Sequence, residues 1–235
     1  MGGALAQCKH PMKTSEAIAR LKKRGNAAMK KIYISHGARE PYFGVTMGDI
    51  KALARRIKTD HALGLELYKT GISDAMILAG HIVDPAKFTV ALLDEWVAAA
   101  TWNMLTDRCV AVVAAKSPFG FQVARTWVRS RKEMTACTGY ATYACLFMAL
   151  KGRDTDPAET RALIKSIADT IHKQGPHLQN AMNNCLIIAG INIKALHADA
   201  LKAAAKVGKI KPLVADNSCN VQTAVDYLKR YAPRE

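Results

Sequence analysis

The chain has 235 residues, half of them apolar and few aromatic, with 34 Lys and Arg against 19 Asp and Glu for a formal net charge of +15. That length is enough to bury a real core, and the composition excludes a disordered or fibrous chain. No apolar run reaches the roughly 18 uncharged residues of a membrane span.

Residues 1–13 read as a flexible basic tail without the early positive charge and long apolar stretch of a signal peptide, since Lys9 and Lys13 come too late. The expected location is therefore cytoplasmic, beside the nucleoid, or nuclear in a nucleated cell. Residues 1–60 hold 13 Lys and Arg against 4 Asp and Glu, so more than half of the net charge comes from a quarter of the chain. Such a field attracts polyanions, above all phosphate backbones, although basic runs also serve simply to solvate helix faces. The pattern predicts a helix over 14–34, opened by Thr14-Ser15-Glu16, and then a loop around Glu40-Pro41-Tyr42-Phe43-Gly44.

Beyond that loop no stretch alternates as a strand does. Helical periods are predicted over 47–58, 61–70, 73–82, 85–99, 101–116, 118–130, 132–151, 157–172, 176–190, 193–207 and 221–231. Three starts share one signal, a capping side chain directly before proline: Asp84-Pro85, Ser117-Pro118 and Asp156-Pro157. Gly175-Pro176 is a weaker fourth. The first three lie 33 and 39 residues apart, about the length of a helical hairpin in a solenoid. The expectation is an all-α domain over 14–235, a superhelical array of antiparallel helix pairs whose concave face is basic and suits duplex DNA.

Several chemistries find no motif. Walker, dinucleotide-binding, HExxH and GxSxG patterns are missing, so no nucleotide, metal or other cofactor is expected. The cysteines Cys8, Cys109, Cys137, Cys145, Cys185 and Cys219 form no CxxC pair and read as reduced core thiols. The seven histidines are scattered and read as surface or loop residues. Attention falls instead on Asp107, a lone carboxylate in the apolar segment from Thr101 to Ala115, which is either a solvated helix acid or a chemical centre. Ideal helical spacing puts Asn103, Asp107, Ala111 and Ala114 on one stripe, and Asn180, Asn183 and Asn184 on a second amide-rich one.

Tyr42-Phe43-Gly44-Val45, Ile50-Lys51-Ala52-Leu53-Ala54, residues 63–71 (LGLELYKTG), Asp74-Ala75, Ile82-Val83-Asp84-Pro85, Trp96, Leu105-Thr106-Asp107, Ala115-Lys116-Ser117-Pro118-Phe119, Trp127 and Ala181-Met182-Asn183-Asn184 occur in that order along most of residues 40–230. Together they resemble the DNA alkylation repair family of HEAT-like glycosylases. The resemblance implies a helical solenoid and Asp107 as the catalytic group for removal of N3- or N7-alkylated purines; a double-stranded DNA partner and a monomer are expected beside it. The resemblance also implies two tryptophans flanking the lesion and a backbone-contacting arginine. Here one tryptophan position, four before Asp107, reads Asn103 beside Trp102; the second reads Asn184; and residues 134–143 contain no arginine.

An alkylated purine already carries positive charge, so a carboxylate near the sugar stabilises the oxocarbenium-like transition state without an acid for the leaving base. Neighbouring Lys and Arg are expected to hold Asp107 ionised by lowering its pKa. Trp102, Asn103, Asn180, Asn183, Asn184, Lys51, Arg55, Lys58 and Lys116 are the expected DNA contacts. Two alternatives stand beside this reading: a non-catalytic DNA- or RNA-binding solenoid, and a protein-scaffolding HEAT module.

Overall fold

The computed structural model describes residues 12–151, 153–212 and 223–231; most of the predicted tail, together with Cys8 and Cys219, lies outside them. Among the described residues every regular element is helical, and no helix is long and apolar enough to cross a membrane. The helices are α1 (Thr14–Lys23), α2 (Ala27–Ser35), α3 (Met47–Ile57), α4 (His61–Lys69), α5 (Ser73–Ile82), α6 (Val90–Ala99), α7 (Asn103–Leu105), α8 (Ala111–Lys116), α9 (Gly120–Trp127), α10 (Glu133–Leu150), α11 (Pro157–Thr170), α12 (Pro176–Asn192), α13 (His197–Val207) and α14 (Ala224–Arg230). A π turn, Thr106–Val110, joins α7 to α8. The chain divides into two compact units, one comprising the residues up to Lys30 with Glu40–Asp84, the other Lys31–Arg39 with the chain from Pro85 onward.

In the first unit α5 is the central helix. Ser73 to Ala79 and Ile82 are all buried, and α5 packs against α1, α3 and α4. The predicted 14–34 helix breaks in two at Arg24-Gly25-Asn26. Asn26 explains the break: its side chain accepts from the amide of Ala28 at 2.8 Å and starts a new helix. The loop before α3 is held by a buried carboxylate, since Asp74 accepts from the amides of Phe43 at 2.5 Å and Val45 at 2.7 Å. Between those residues Gly44 has φ +74, and a Cβ there would stand 2.8 Å from the Lys30 backbone nitrogen and Asn26 oxygen, so only glycine fits.

The second unit is built on α10 and α12, which pack against each other. Around α10 lie α8, α9 and the π turn; around α12 lie α13 and α14, with α11 against α13. Gly139 allows α10 to touch the end of α9, because a Cβ there would lie 2.5 Å from the Val128 nitrogen. The shared core includes Phe147, Ile167, Ile171, Cys185, Leu186 and Leu228.

The proline starts behave differently from one another. Asp156 caps α11 as expected, accepting from Ala158 at 2.8 Å, and Pro176 opens α12 without a side-chain cap. Pro85 opens only a 3-10 turn, and α6 begins later behind Thr89. Ser117-Pro118 forms a turn in which the Ser117 hydroxyl donates to the Ala114 carbonyl at 2.8 Å, and α9 starts at Gly120. Capping residues also form local turns, and tertiary packing decides between the two uses.

Candidate functional site

Trp102 enters the site in extended conformation (φ −155, ψ 167), and the chain then coils into α7. From Thr106 the coil widens: the Ala111 amide donates to the Thr106 carbonyl, a π-type bond that inserts one residue into the turn. The insertion breaks the predicted stripe. Asn103 and Asp107 line a cleft, whereas Ala111 and Ala114 are fully buried in the core. The side chain of Thr106, itself fully buried, lies 2.9 Å from both the Asn103 carbonyl and Asp107 Oδ1. One hydroxyl proton serves one acceptor at a time, and an ionised carboxylate is the stronger.

Facing Asp107 across the cleft are Met134 and Cys137 on α10 and His177, Asn180 and Ala181 on the first turns of α12. The space between them is about 10 Å³, room for about one water. Burial pushes the Asp107 carboxyl up to about 6, against the opposing pull of the Thr106 hydroxyl, Arg108 and His177. This corrects the expectation that nearby cations lower it: taking the carboxylate out of water outweighs them. Burial, with the charge of Asp107, also raises the Cys137 thiol beyond any useful range and the Cys145 thiol to about 11. Neither is a thiolate nucleophile at neutral pH.

Among the described residues four buried side-chain polar atoms have no hydrogen-bond partner: Trp102 Nε1, Asn103 Oδ1, His177 Nδ1 and Asn183 Oδ1. All four belong to the two segments that frame Asp107. Buried polar groups are nearly always paired, so such clustering marks a place built for something other than stability. Among the described residues no cluster of His, Cys, Asp and Glu is arranged to hold a metal ion.

The expected contacts separate. Asn103 and Asn180 stand beside Asp107. Trp102 is 2% exposed, its ring 5.0 Å from that of Tyr33, and Asn183 is 4% exposed. Neither presents a surface to DNA, which corrects their assignment as contacts; Asn184 is exposed but outside the cleft lining, so the three amides of α12 do not act as one stripe. Trp96 and Trp127 are buried too, Trp127 donating to Asp94 at 2.7 Å. Lys51, Arg55 and Lys58, on α3 and its C-cap, and Lys116, at the end of α8, are exposed. His177 is the residue that sequence reasoning missed; its only signal was its place directly after a helix-opening Gly-Pro.

Size does not mark this site. A groove of about 450 Å³ between α9, α10 and α11 is lined by Arg125, Tyr143 and Glu159, whose groups satisfy one another. Arg125 donates twice to Glu159, at 2.8 and 2.7 Å, and the Tyr143 hydroxyl donates once at 2.7 Å.

The sequence profile of a family described as DNA alkylation repair enzyme matches residues 17–233. An uncharacterised protein of Listeria innocua serovar 6a is 28% identical over 206 residues, 85% of this chain and 88% of its own length. A second, from Listeria monocytogenes serovar 1/2a, is 27% identical with the same coverage. A solved structure from "a new family of proteins related to the HEAT-like repeat DNA glycosylases with affinity for branched DNA structures" superposes with a TM-score of 0.86, is 32% identical, and covers 93% of each chain.

Proposed function

The chain belongs to the DNA alkylation repair enzyme family, and from that premise we propose that it is a HEAT-like protein that binds double-stranded DNA, branched DNA included, through its basic surface. The observation that carries this is the fold match over 93% of the chain to a relative with affinity for branched DNA, joined to a net charge of +15. Lys51, Arg55, Lys58 and Lys116 are exposed and suited to phosphate oxygens. Binding of this kind needs no cofactor and would be exercised wherever chromosomal DNA lies. Fluorescence anisotropy with a four-way junction and a linear duplex tests it. The junction should bind more tightly, and affinity should fall by about 10³-fold between about 50 and 200 mM salt. Negligible binding to both at physiological salt overturns the reading in favour of a protein scaffold.

A second reading, base excision, is favoured by Asp107. With its carboxyl at about 6, roughly ten molecules in eleven carry the anion at pH 7, enough to stabilise the oxocarbenium-like sugar of an N3- or N7-alkylated purine. Release of methylpurines from alkylated duplex, wild type against Asp107→Asn, tests this reading. Equal release by both removes Asp107 from the chemistry.

A further inference from the structure

The cleft at Asp107 is defined by its unpaired atoms. Asn103 Oδ1 and His177 Nδ1 both belong to residues lining it, and both atoms are buried without a partner. They come from chain segments remote in sequence, one just before the π turn and the other on the first turn of α12. Between them and the carboxylate there is room for about one water. A water has two protons to donate and can accept at least one. Beside the Asp107 carboxylate, the unpaired buried atoms offer that water one acceptor, Asn103 Oδ1, and one donor, His177 with its proton on Nδ1.

We propose that Asp107, Asn103 and His177 form a one-water site in which His177 holds the water that attacks the sugar, making His177 a positioning residue for base hydrolysis. The inference rests on the reading of Asp107 as the hydrolytic carboxylate. The water donates to Asp107 and to Asn103 Oδ1 and accepts from His177 Nδ1–H, leaving an oxygen lone pair free. The bond between C1′ and the purine nitrogen breaks, its electron pair leaves with the base, and the cationic base departs neutral. The water oxygen bonds to C1′ and its proton passes to the Asp107 carboxylate, which returns it to solvent.

Other charged and titratable groups act on Asp107 as well. Arg108 lies on the same turn, and Cys137 and Cys145, on α10, are close enough to feel the charge of Asp107. Of these, Cys137 lines the cleft, but its thiol stays neutral there, so His177 is the lining side chain whose unpaired ring nitrogen is left to hold the water.

Two substitutions separate the roles. Asn at 177 places an amide donor near the position of Nδ1, whereas Leu supplies none. In the full chain, His177→Leu should lower the release of 7-methylguanine from duplex by about 100-fold, the effect of losing one positioned donor. His177→Asn should recover most of it. Carbon-13 carboxyl titration should place Asp107 higher in both variants, because each lacks the His177 side chain that draws the carboxyl down, and the acid limb of the rate should move with it. Junction binding, measured alongside, should be unchanged and reports that the variants fold. Equal losses in Leu and Asn, or unaltered release and an unmoved carboxyl midpoint, overturn the proposal. If the wild type releases no base while the midpoint still moves with His177, base excision fails as a function and the coupling of His177 to Asp107 stands.

Discussion

Asp107→Asn should make this protein more stable at neutral pH and no more stable in acid. The carboxyl is raised from its ordinary 3.8 to about 6, chiefly because burial penalises the charged form. Each pH unit between those values is worth about 1.4 kcal/mol, so the ionised group costs the fold up to about 3 kcal/mol. The sign follows from proton counting. Between about pH 4 and pH 6 the folded state keeps its proton while the unfolded state has lost it, so stability falls as pH rises through that window. Below it both states are protonated and the penalty is absent; above it both are ionised and the penalty is complete. Asparagine keeps the shape, accepts the Thr106 hydroxyl and carries no charge. Urea denaturation of both proteins at about pH 4 and pH 8 should give a variant-minus-wild-type difference near zero in acid that grows to about 3 kcal/mol in base. A variant less stable than wild type at pH 8, or a difference independent of pH, refutes the view that burial sets the state of this carboxylate.

Two further substitutions test the packing within each unit. Gly139→Ala would put a Cβ 2.5 Å from the Val128 nitrogen and should lower stability by about 3 kcal/mol, seen as a lower urea midpoint with an unchanged slope. Asp74→Asn leaves a single acceptor oxygen for the two amides of Phe43 and Val45. It should cost about 2 kcal/mol and speed hydrogen exchange at whichever amide loses its partner.

How far the sequence reaches depends on whether a feature is local. The Asp156-Pro157 start of α11 is readable because cap and proline act on their own turn. The same signal at Ser117-Pro118 was spent on a turn, because the hydroxyl found the Ala114 carbonyl instead. Asp107 stands out in the sequence by its apolar surroundings and by the resemblance, but the π turn under it leaves no periodic trace, since one inserted residue shifts the register of only a few neighbours. That single insertion sent Ala111 and Ala114 into the core and invalidated the stripe. The direction of the Asp107 shift was misjudged by counting nearby cations, which is possible from sequence, while neglecting desolvation, which is visible only once α10 and α12 close over the carboxylate. His177 is hidden from the sequence for a similar reason: the carboxylate whose cleft it lines lies on another element.

Asn103 is where these strands meet. At the position where the resemblance implies an aromatic wall, this chain has an amide whose oxygen is buried and unpaired. An aromatic face would repel water and stack against a cationic base, whereas an amide oxygen accepts a hydrogen bond from water. Under the proposed hydrolysis, the exchange moves this side chain's ligand from the lesion to the water that attacks C1′. An unpaired buried acceptor costs about 1–3 kcal/mol, and the cleft lining holds a second unpaired buried atom, His177 Nδ1, together with a carboxylate raised by burial. A turn selected only for folding would shed these costs with apolar residues of similar size, as the neighbouring Leu105, Cys109 and Val110 do. The unfavourable groups are concentrated at Asp107, where local stability has been given up for a polar cleft.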